Sequence, residues 1–156
     1  MDYVLRERLL SELSRQHAQA PLNVARETWT HSSDGRCKLL LTWLLLRLRQ
    51  AHPDLFLGGR YEALEVEGIG APRTLAFLRA SGETSVVVVV PRLVLRALKA
   101  GLGPVYGTTR VRLPPGLTGH RFRNLVTGAT VAAVEGGLAV GPLLTDFPVA
   151  VLETTE

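Results

Sequence analysis

Apolar positions recur at two different periods along this chain, and the change of period divides it. Leu5, Leu9 and Leu13 stand four apart with Leu10 beside them, which puts them on one face of a helix over residues 2–17. Arg6, Glu7, Arg8, Glu12 and Arg15 fill the rest and read as a solvated face. Residues 18–32 are polar and aperiodic and contain Pro21. They predict a loop with room for one irregular helical turn, anchored by Trp29.

The next stretch, SDGRCKLLLTWLLLRLRQAHPDLF from Ser33 to Phe56, is the most apolar long segment. Ser33 or Asp34 can cap a helix start, and Pro53 disfavours helical geometry at His52, so the helix should end near Gln50 or Ala51. Leu39, Leu40, Leu41, Trp43, Leu44, Leu45, Leu46 and Leu48 cover nearly its whole circumference. A helix apolar all round needs neighbours on every side. The expectation is that Leu39 to Leu46 keeps one leucine stripe facing solvent, or that the first helix folds over to hide it.

Beyond residue 57 the period shortens. Residues 63–67 alternate, with Leu64 and Val66 on one face. Residues 74–79 predict a short strand bounded by Pro72 and by Ser81-Gly82. The run SVVVVV at 85–90 is β-branched after its serine and reads as a strand covered on both faces. Residues 92–100 fit a short helix or an irregular strand, followed by a loop over 101–107. Residues 108–113 alternate, with Val111 and Leu113 inward and Arg110 and Arg112 outward. Residues 122–127 and 129–134 flank Gly128 as a hairpin. Glu135-Gly136-Gly137 turns, residues 138–144 follow with a break at Gly141-Pro142, and 147–152 is the last strand. The whole predicts an α+β fold: two N-terminal helices, then about seven or eight strands in an antiparallel β-sandwich. The division is 1–57, helical, and 58–156, the sandwich.

Composition changes this picture little. The 156 residues suffice for one core, and an apolar share of 46% is that of a folded chain. Net charge is +4, carried almost wholly by scattered arginines, since Lys38 and Lys99 are the lysines. Without basic runs or interleaved aromatics, no nucleic-acid partner is expected. Cys37, the single cysteine, rules out an internal disulfide and reads as a small packing residue. The apolar run at 38–46 is too short to cross a bilayer, and residues 1–16 contain no apolar signal core. No membrane partner is expected, and the expected compartment is cytoplasmic.

Candidate chemistry is sparse. His31-Ser32-Ser33-Asp34 places triad residue types in a row, but triad members meet in space and no G-x-S-x-G elbow exists, so a loop running into a cap is the reading. The histidines never stand i, i+4, so no helical metal pair arises. GLGPVYG at 101–107 neither directly follows a strand nor opens a helix, so it does not read as a dinucleotide loop. No carboxylate pair stands out for glycoside chemistry. No catalytic residue, cofactor or metal is therefore assigned.

One further signal comes from the order of motifs. DGRCKLLLTWLLLRLRQAHPDLF followed by Gly58-Gly59-Arg60-Tyr61 resembles the end of the catalytic barrel in alpha-amylase superfamily enzymes (glycoside hydrolase family 13), where such a helix leads into a β-sandwich domain. The opening Asp2-Tyr3 with Leu9-Leu10, Asp34-Gly35-Arg36 with Lys38-Leu39, Leu64 to Gly68, Val88 to Arg92, Thr109 to Pro114, Arg123 to Gly128 and Asp146 to Ala150 are similar, in order and spacing, to the C-terminal region of the maltooligosyltrehalose synthase family. Residues 14–33 match only loosely.

The resemblance implies an origin in an enzyme that turns the reducing-end α-1,4 linkage of a maltooligosaccharide into an α,α-1,1 linkage by intramolecular transglucosylation. The family's catalytic carboxylates lie on barrel strands upstream of this region, and a (β/α)₈ barrel alone takes roughly 250 residues. No catalytic residue carries over, and residues 1–57 become the equivalent of the barrel's end. The implied role is a supporting domain, inactive alone, acting with a maltooligosaccharide only in the full enzyme or with a separately encoded barrel part. Arg36 and Lys38, near the family's barrel end, are the substrate-proximal candidates, with structural salt bridging as their competing role. Two other classes stay open. One is a carbohydrate-binding module using the dispersed Trp29, Tyr61 and Tyr106; the other is an assembly module docking through its leucine face.

Overall fold

The computed structural model describes residues 3–93 and 105–155. Helices come first: α1 (Tyr3–Gln19), α2 (Pro21–Thr30), α3 (Arg36–Ala51) and the short α4 (Pro53–Leu57). Strands follow: β1 (Arg60–Ala63), β2 (Val66–Glu67), β3 (Thr74–Ser81), β4 (Thr84–Pro91), β5 (Arg110–Arg112), β6 (Arg121–Asn124), β7 (Thr130–Ala132), β8 (Gly137–Ala139) and β9 (Ala150–Thr155). A helical turn, α5 (Val140–Leu143), sits between the last two. Every pairing is antiparallel, in a six-stranded sheet ordered β1-β3-β4-β9-β6-β7 and a three-stranded sheet ordered β2-β5-β8. The fold is α+β, with N-terminal helices ahead of antiparallel strands.

The six-stranded sheet is covered on both faces, because its central strands are apolar at successive positions. On one face Ala76, Leu78, Val87, Val89, Phe122 and Leu152 share a core with Val111 and Leu138 of the smaller sheet. On the other, Val86 and Val151 share a second core with Leu13, Val24, Leu40 and Leu48 of the helices. Val86 and Val87 thus serve opposite cores although they are neighbours, which is the alternation a strand imposes. The expectation for 85–90 holds in this form.

Several elements depart from expectation. Residues 18–32 were expected as a loop, yet 21–30 form α2, so three helices precede the short α4. Pro21 stands in its first turn, where its missing N–H is harmless. Val24, Ala25 and Thr28 form its buried face, and Thr28 Oγ1 donates to Val24 O at 2.8 Å. Ala and Thr leave little mark on a hydropathy pattern, so the stripe was hidden. Residues 63–67 are not one strand: β1 ends at Ala63 in the larger sheet and β2 starts at Val66 in the smaller one. Leu64 and Val66 nevertheless face one core, as expected. The expected strand at 138–144 stops at Ala139 and becomes α5, with Gly141-Pro142 in a helical turn. The last strand lies three residues later than expected. The readings of 94–104 fall outside the described residues.

Among the contacts that tie the helices to the strand region, two reach its turns. His17 Nε2 lies 2.9 Å from Val126 O, while its ring meets Trp43 edge-on at 5.8 Å. Arg26 Nε donates to Asp146 Oδ1 at 2.8 Å.

Candidate functional site

Two places on the helical layer carry the candidate groups, one at each end of α3. At its start, Gly35 takes a φ of +83°, which only glycine adopts freely, and lets the chain turn from Asp34 into the helix. Asp34 Oδ1 then accepts from the Arg36 N–H at 2.9 Å, so the expected capping residue works from one position further out. The Arg36 guanidinium reaches both Asp34 Oδ2 at 2.7 Å and Glu27 Oε1 at 2.9 Å. The Arg36 backbone N–H, and then its side chain, hold the Asp34 carboxyl below its ordinary value of 3.8. Asp34 and Glu27 in turn push Arg36 upward. Arg36 is thereby a fixed cation that joins the start of α3 to α2.

Lys38 is exposed and, among the described residues, has no ion-pair partner. It borders a cleft of about 530 Å³ shared with Arg36, Asp34, Leu5, Leu9 and Leu39. The two candidate cations therefore line one cleft, with Arg36 committed to carboxylates and Lys38 open. The nearby His31 does not build a triad. Its Nδ1 lies 3.0 Å from Glu27 O, and Asp34 is engaged by Arg36. Cys37 is half-buried, and burial pushes its thiol upward, the behaviour of a packing residue.

The second place is the side of α3 that faces the sheet. Leu40 and Leu48 are buried, whereas Leu45 and Leu46 are 37% and 61% exposed. Of the expected open leucine stripe only the adjacent Leu45 and Leu46 face solvent, while Leu39, Leu41 and Leu44 are half-buried against the core and α1 also packs on α3 through Leu13. Beside Leu45 and Leu46 runs an apolar trough of about 450 Å³, floored by Phe77, Val86, Val88 and Val90. Arg79 stands at its end. Its guanidinium carbon lies 5.5 Å from the Phe56 ring and 5.8 Å from the Tyr61 ring, and Nη1 donates to Leu55 O at 3.2 Å. Sequence reasoning missed Phe77 and Arg79. The signal was the register of 74–79 against the valine run, which pairs Arg79 with Val86 and Phe77 with Val88.

The aromatic candidates separate. Tyr106 is fully buried, so it cannot present a face to a sugar, and burial pushes its phenol upward. Trp29 is half-buried and packs on Phe147 at 6.5 Å. Tyr61 alone of the three is well exposed, at 57%, and lies 5.3 Å from Phe77. Among the described residues no group of three or more His, Cys, Asp or Glu is placed to hold a metal ion. Among them, too, no helix is long and apolar enough to cross a membrane. No protein-family model matches this chain, and no curated protein matches it.

Proposed function

We propose that this chain is the C-terminal supporting portion of a maltooligosyltrehalose synthase, acting in the cytoplasm and without mutase activity of its own. The observation that carries the reading is the ordered set of motifs from Asp34-Gly35-Arg36 to Asp146-Phe147-Pro148. The open Leu45 and Leu46 on α3 support it, because the barrel's end in that family runs into such a helix and would supply the missing neighbour. In this reading the substrate is a maltooligosaccharide bound mainly by the barrel. Lys38, with its free ammonium, is the better of the two substrate-proximal candidates, and Arg36 holds the cleft in shape.

The test is an assay for trehalose-terminated product from maltopentaose. The chain alone should give none, while adding it to a separately produced family barrel that lacks its own C-terminal region should restore product. Product from the chain alone, or a barrel indifferent to its addition, overturns the reading. A second reading, a carbohydrate-binding module, draws on one observation: the exposed Tyr61 ring beside Phe77. Calorimetric titration with maltooligosaccharides, lost on Tyr61→Ala, would favour it instead.

A further inference from the structure

The geometry points to an amphipathic helix of a partner protein as the occupant of the trough beside α3, with acidic residues next to its apolar stripe. The first ground is the incomplete helical layer. In the six-stranded sheet, β4 and β9 carry the residues that pack on α3, Val86 and Val151. The floor of the trough runs over β3 and β4, through Phe77, Arg79, Val88 and Val90, and Phe56 of the short α4 closes one side of it. Two strands span roughly 10 Å, which is about the width of one packed helix. Among the described residues the trough over β3 and β4 is therefore about one helix wide, with Leu45 and Leu46 as its side wall.

The second ground is charge. The charged residues lining the trough are Arg49 and Arg79. Among the described residues neither pairs with a carboxylate. Arg79 is already held by Phe56, Tyr61 and the Leu55 carbonyl, so little side-chain freedom remains to be lost when an anion arrives. The carboxylate of β9 on the same face, Glu153, is occupied, 2.7 Å from His52 Nε2. An occupant must therefore bring its own acids. A second copy of this chain fits poorly, since its net charge is +4 and a two-fold contact through the trough would bring both pairs of arginines together. The recognition mode is a helix laid in a groove, read by apolar anchors at helical spacing. This inference shares the Leu45 and Leu46 wall with the barrel contact proposed above, and it adds the chemistry of the segment that covers the trough.

The probe is a fluorescein-labelled helical peptide of about five turns, with leucines at i, i+3, i+4 and i+7 and glutamates beside them, against the same peptide with lysines. Anisotropy with the full chain should show the glutamate form binding about 10-fold tighter or more, with the margin shrinking at high salt. Arg49→Glu should abolish the preference, and Leu46→Asp should weaken both peptides. Both sites are exposed, and an unchanged melting temperature confirms that each variant folds. Equal affinity for the two peptides, no binding, or a preference untouched by Arg49→Glu overturns the inference. So does a dimer in sedimentation velocity that Leu46→Asp dissolves, because a second copy would then fill the trough. The peptide and sugar assays share no readout, so each proposal can fail without the other.

Discussion

Gly128 lies against Pro21 so closely that a Cβ built on the glycine would stand 2.5 Å from the proline Cγ. The hairpin between β6 and β7 thereby touches the first residue of α2, and the glycine also holds a φ of +74°. Gly128→Ala meets both obstacles and should destabilise the fold by about 2–4 kcal/mol. Pro21→Ala in that background should recover part of the loss, and a double-mutant cycle by urea unfolding should show coupling of about 0.5–3 kcal/mol. Additive effects would mean that the two residues do not meet.

Thr109 and Gly70 offer a test beside the core that the smaller sheet shares. Thr109 Oγ1 accepts from the buried Gly70 N–H at 2.8 Å. Thr109→Val removes the acceptor but keeps the shape, which should cost about 1–3 kcal/mol, whereas Thr109→Ser should stay near wild type. Equal losses from both would place the effect in packing.

The leucines of α3 should differ sharply in worth. Leu40 is fully buried, so Leu40→Ala should cost about 2–5 kcal/mol. Leu46→Ala, at an open position, should stay within about 0.5 kcal/mol. Thermal and urea unfolding of the two variants checks the contrast, and a large loss at Leu46 would show it covered within the chain.

Asp34 gives the acid response of the α3 start a definite sign. Its folded-state pKa lies below the ordinary 3.8, so the unfolded chain binds its proton first as pH falls. The contribution is full above the unfolded value and fades as pH drops through the folded one. Asp34→Asn should therefore flatten part of the stability loss below about pH 4. Chemical denaturation from pH 6 to pH 2 reads this, and an unchanged slope would remove Asp34 from the acid response.

Cys37 should be a slow thiol. Burial raises its pKa, chiefly by disfavouring the thiolate, so disulfide reagents at pH 8 should react well below the rate for free cysteine until the chain is unfolded.

The end of α3, the two-faced valine strand and the hairpin at Gly128 were legible because each rests on local chemistry. A proline ends one, unbroken β-branching marks the second, and positive φ makes the third. The helix α2 was not legible, because beside the single Val24 its buried face is Ala25 and Thr28, which a hydropathy pattern barely registers. The candidate site was half legible. Arg36 and Lys38 could be named from their motif, but that Arg36 is held by Glu27 depends on α2 lying beside α3.

By itself the sequence determined that α3 carries more apolar surface than one contact can cover, since that is a count of leucines around a helix. Only the tertiary structure decided which leucines stay open. Leu40 and Leu48 point to the core shared with β4 and β9, and Leu45 and Leu46 lie beyond its edge. A helix can be apolar all round from local sequence alone, but which side is left over depends on which strands and helices the fold sets against it.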